Sequence, residues 1–118
     1  MLRSLRHLLL SGIFIFGGAN TFFNPESRAV KVANAGIPSP KQAAMLNGAI
    51  MTVAGTALAC DVAPKLAATV LIGTLIPTTF VGHPFWTDQD PTSRSANRTH
   101  FLKNLAILGG LFLVLAEK

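Results

Sequence analysis

The sequence predicts an all-α fold: a four-helix transmembrane bundle with a short interfacial helix between helices one and two. Half of the 118 residues are apolar and only 13% are charged, against about a quarter in ordinary soluble domains. The apolar residues gather in four runs separated by polar, proline-containing stretches, giving helices at about 5–24, 41–61, 64–83 and 98–116. The ten lysines and arginines stand almost entirely at the ends of those runs, where their stems lie along apolar surface and their charges reach lipid head groups. The same scatter turns the net charge of +5 away from nucleic acid and toward the membrane. The length leaves room for one domain, residues 1–118.

The first run follows Arg3 and Arg6 and is apolar on every side from Leu8 to Phe23 except at Asn20. A basic start, a short apolar run and the small residues Gly17, Gly18 and Ala19 also fit a secretion signal, but three further apolar runs hold the chain in the membrane. Asn24 and Pro25 read as a helix start, with the Asn24 side chain as cap, and Gly36 as the stop. The intervening segment, Pro25 to Ala35, mixes Ala29, Val30 and Ala33 with Glu26, Arg28 and Lys31, which suits a helix lying on the membrane surface or over the mouth of the bundle.

Ser39 and Pro40 repeat the cap-plus-proline pattern, and the second run extends to Cys60 with Asn47 its one strongly polar residue. Along it Ala44, Gly48, Thr52, Gly55 and Ala59 share one face, a small-residue stripe that allows another helix to approach closely. The linker from Asp61 to Pro64 has room only to turn the chain around, so the second and third spanning helices are expected as antiparallel neighbours. Pro77 lies inside the third run, removes a backbone donor and predicts a kink. A polar connection, Thr87 to Asn97, then leads to the last helix at Arg98.

Four spans place both termini on one side, with Arg3, Arg6, Lys65 and Lys118; Arg28, Lys31, Lys41, Arg94 and Arg98 occupy the other. That balance is close to even, and Arg3 and Arg6 before the first helix tilt the expectation toward cytoplasmic termini.

The residues that could carry chemistry collect at one membrane border. His83, Phe85 and Trp86 end the third run, and His100, Lys103 and Asn104 open the fourth; Asn20, and Asn47 a little deeper, fall at the same level. Polar groups at that depth point inward and pair, which implies a polar pocket capped by aromatics. Such a pocket suits a head group with carbonyl oxygens, a quinone for instance, with His83, His100 or Lys103 donating and Phe85 or Trp86 stacking. The plainer reading makes the aromatics an interfacial belt and Lys103 a snorkelling cation. Two histidines without a neighbouring carboxylate or thiolate make an incomplete metal set, and no metal is expected. Cys60 is the only cysteine, so dithiol chemistry within one chain is excluded, and His7 reads as a flanking residue. No self-sufficient catalytic or redox-cofactor site is visible.

His83-Pro84-Phe85-Trp86 and the run His100-Phe101-Leu102-Lys103-Asn104-Leu105 resemble the signature of DoxX-type membrane proteins. Gly17 to Pro25, Ala35 to Pro38, and Gly109 with Gly110 extend the resemblance over roughly Leu5 to Leu115. What the resemblance implies is a compact multi-pass bundle in a bacterial plasma membrane, in a family without one agreed activity. It further implies an accessory or structural subunit of a membrane assembly, in contact with lipids and with other subunits or itself; the alternative is a quinone-interacting subunit of an oxidoreductase complex.

Overall fold

The computed structural model describes residues 2–83 and 85–117, so Pro84 of the HPFW motif and the terminal charge of Lys118 lie outside the described residues. Five α-helices follow one another: α1 Leu2–Phe23, α2 Glu26–Asn34, α3 Pro40–Ala59, α4 Pro64–Gly82 and α5 Pro91–Leu115, with a 3-10 turn at Phe85–Thr87 before the last. No strand occurs among the described residues. Three helices, α3, α4 and α5, are long and apolar enough to cross a membrane, and α1 with α2 makes a fourth if that pair, bent by 89°, counts as one span.

α3 is the hub. α1 lies along it, α2 folds over its first turns, α4 returns beside it after the short turn, and α5 packs on α4 while only grazing α1. The small-residue stripe explains the closeness of α1. A Cβ on Gly48 would stand 2.6 Å from the Gly18 carbonyl oxygen, and one on Gly18 would stand 2.7 Å from that of Gly48. Lower down, Gly55 receives Phe14 and Ile15. The two helices therefore meet backbone to backbone where lipid offers no hydrophobic drive and close packing must hold them. Phe14, Leu58, Ala68, Leu71 and Leu111 form the dry centre, and Leu9, Phe16, Phe23, Val53 and Leu113 on the outer faces are each at least 71% exposed. Such large apolar side chains turned outward all round suit acyl chains rather than water.

Several expectations change in detail. α5 begins at Pro91, seven residues before Arg98, so much of the supposed polar connection is helical. The reason is a cap: Asp90 accepts from the Ser93 amide and Pro91 fills the first helical position. Asn24 does not cap α2, whose N-cap is Pro25; its side chain reaches back to Asn20 Oδ1 at 3.5 Å. Ser39 is the N-cap of α3, but at φ 50° its hydroxyl makes no capping bond. Gly36 does end α2, at φ 81°, a conformation only glycine adopts freely. α4 continues as one helix through Pro77.

Candidate functional site

The connector helix α2 exists because Pro25 starts it and Gly36 stops it, and its bend against α1 lays it across the end of the molecule where α4 ends and α5 begins. Lys31 fixes it there by donating to the Gly82 carbonyl at 2.7 Å, a group left free at the C-terminus of α4. Beneath α2 lie two small cavities. One, of about 200 Å³, is lined by Arg28, Lys31, Asn47 and Thr78 among apolar neighbours such as Val32 and Pro77. The other, of about 70 Å³, is lined by Arg28, His83, Lys103, Asn104 and Thr78 with Phe14 and Leu75 below. Arg28 and Thr78 belong to both, so the two spaces adjoin.

Polar side chains here are placed by threonines of α4. Asn47 donates to Thr78 Oγ1 at 2.9 Å, and the Thr78 hydroxyl in turn donates to the Thr74 carbonyl. Asn104, buried, donates to Thr79 Oγ1 at 3.1 Å, and Thr79 donates to the Leu75 carbonyl. Each amide thus stays satisfied inside a low-dielectric interior and ties α3 or α5 to α4. His83 Nδ1 donates to Asn97 Oδ1 at 3.2 Å, and Asn97 Nδ2 donates to Asp88, which orients the imidazole. The His83 ring stacks on that of His100 with centroids 4.9 Å apart, and Lys103 donates to His100 Nδ1 at 3.3 Å.

Of the residues expected at the pocket, the structure places Asn47 in the larger cavity and His83, Lys103 and Asn104 in the smaller. His100 is exposed and meets the site through His83 and Lys103. Phe85 and Trp86 line neither cavity; with Phe80 they close edge-on around Phe101, at 5.3 to 5.6 Å from its centroid. This is an aromatic clasp joining α4 to α5. Asn20 is exposed on the outer face of α1, in a groove with Phe16 and Phe23, and is not brought to the pocket. Arg28, Thr78 and Lys31 are the lining residues that the spacing of polar groups did not single out. The signal was present in the basic residues of the connector, which face inward instead of toward head groups.

At the opposite end a second cluster forms around His7, which is wholly buried rather than flanking. Its Nδ1 bonds Asp61 in the α3–α4 turn, and its Nε2 lies 2.8 Å from Glu117 Oε1, just past α5. Ser4 donates to Asp61 at 2.8 Å, and Arg3 and Arg6 approach Glu117 at 3.3 and 3.4 Å. The bond from His7, and after it that from Ser4, lowers the Asp61 carboxyl below its ordinary value. Among the described residues, no group of three or more histidine, cysteine or carboxylate side chains is arranged to hold a metal ion.

The DoxX family profile matches residues 3–84, well over half of the chain and all of α1 to α4 but Leu2. No curated protein and no solved structure matches significantly. With its apolar helices and the family match over α1 to α4, the chain is a membrane protein that belongs to the DoxX family.

Proposed function

We propose that this chain is a four-helix, multi-pass protein of a bacterial plasma membrane, with cytoplasmic termini, that serves as an accessory subunit and holds a polar head group beneath α2. The observation that carries this reading is the chemistry of the two adjoining cavities: Arg28, Lys31, Asn47, Lys103 and Asn104 line them, three of the five cationic, and among the described residues no carboxylate lines either. Cations and amides with N–H groups to spare beyond their bonds to oxygen and nitrogen within the protein suit a ligand rich in acceptor oxygens, carbonyl or phosphate. The volumes, about 200 and 70 Å³, suit a head group whose tail leaves into lipid. A quinone meets both demands, and would make the chain the quinone-contacting subunit of an oxidoreductase whose electrons come from a partner. In a structural subunit the same pocket would take a lipid head group.

The test is to purify the protein in mild detergent, record its absorption spectrum, and identify by mass spectrometry what is extracted with it. Quinone or one lipid class near one per chain, lost in Lys103→Ala and Asn47→Ala, supports the pocket as a ligand site, and the identity of the molecule selects the role. Stable protein partners with an empty pocket would overturn it and leave a purely structural subunit.

A further inference from the structure

The His7 cluster lies at the far end of the molecule from the head-group pocket and needs a different explanation. Both ring nitrogens of a fully buried imidazole face carboxylates that come from distant parts of the chain. A neutral imidazole carries one N–H and one lone pair, so it donates to one carboxylate only. Two donated bonds need two protons on the ring, one more than neutral histidine supplies, unless one of the acids is itself protonated. Both acids already hold contacts that suit a carboxylate: Ser4 donates to Asp61, and Arg3 and Arg6 stand beside Glu117. A chelated metal is ruled out by geometry, because the carboxylates meet opposite edges of the ring and share no vertex.

We propose that His7, Asp61 and Glu117 form a proton-binding site in which an imidazolium pins the end of α5 to α1 and to the α3–α4 turn. Among the described residues, the charged groups of the cluster are Asp61 from the turn and Glu117 from the segment after α5, which face the ring, and Arg3 and Arg6 from α1 itself, which pair with Glu117. When the proton leaves, one carboxylate must face a lone pair and its tie is lost. Asp61 is fixed in a four-residue turn between two helices and keeps the Ser4 hydroxyl, whereas Glu117 follows the last turn of α5 and, among the described residues, keeps the side chains of Arg3 and Arg6, half-exposed or more. Glu117 is therefore the tie that gives way. Its release loosens α5 from α1 along an open groove of about 760 Å³ in which Arg3, Arg6, Leu10 and Leu113 stand with Glu117. The bound proton thus sets how tightly this seam closes.

The experiment is nitrogen-15 NMR of the histidine rings in the full-length protein in lipid nanodiscs, with His7 assigned by its loss in His7→Gln. The site predicts two ring protons on His7 at pH 7, and a doubly protonated fraction that falls roughly twofold or more in Glu117→Gln. It also predicts that the backbone amides of Val114 to Glu117 shift with the same midpoint as the ring when the pH is raised. A singly protonated His7 at pH 7 in the unaltered protein overturns the proposal without recourse to a variant. So do terminal amides that ignore the titration.

Discussion

Asp61 shows how much one side chain here depends on its neighbours. Its folded carboxyl is lowered chiefly by the bond from His7 and then by that from Ser4, so its contribution to stability is complete above the ordinary value of 3.8. It is lost only as the pH falls through the lowered folded value. Carbon-13 NMR of the carboxyl is expected to find its midpoint below 3.8, and to find it moved back up in His7→Gln; an unchanged midpoint in that variant would deny the bond. None of this was legible in the sequence, where His7 is one polar residue near a basic start and its partners lie 54 and 110 residues away. His83, Lys103 and Asn104 were legible because the turn between two apolar runs brings them together by topology alone. Asn20 failed because level in the membrane does not decide the face of the helix. About half a turn of helix, roughly two residues, separates a lining position from a lipid-facing one.

At the scale of elements, the stripe on α3 was read from spacing, but its partner was not. Gly18 is the complement, and α1 carries it with two other glycines, Gly12 and Gly17, that face open space. Gly48→Leu should destabilise the protein by about 1 to 3 kcal/mol or more, as extra volume forced into a filled contact does. Gly17→Ala, with nothing within 4 Å of the added Cβ, should leave the midpoint of denaturant unfolding the same or slightly raised, because alanine is the better helix former. Equal effects would mean that α1 does not rest on that stripe. The start of α5 was misplaced because a run of hydroxyl and charged residues looks like a loop, while Asp90 and Pro91 together make a strong cap. Asp90→Ala should cost about 1 kcal/mol. Hydrogen exchange should then rise in the first turn of α5 and stay unchanged in its second half.

For the whole molecule, composition and the four apolar runs gave the fold class directly, since large apolar side chains turned outward are stable only in lipid. What they left open is how many helices cross, because α1 reaches the length of a span only with its charged start, and α2 turns sharply away from it. In the structure Ser4 bonds Asp61, beside Cys60, as four crossings require; a chain in which α1 did not cross would have the two on opposite sides. A membrane-impermeant maleimide should therefore label Cys60 and, in a Cys60→Ser background, Ser4→Cys from the same face; labelling from opposite faces would remove α1 as a span.

The central claim is that the cavities under α2 receive a head group rich in acceptor oxygens, and side-chain amide NMR in nanodiscs tests it most directly. On titration with a short-chain quinone, and separately with an anionic phospholipid, the NH₂ signals of Asn47 and Asn104 should shift and saturate for at least one of them, while that of Asn20 stays still. Shifts confined to Asn20 and the outer faces, with Asn47 and Asn104 unmoved by either ligand, would contradict the account.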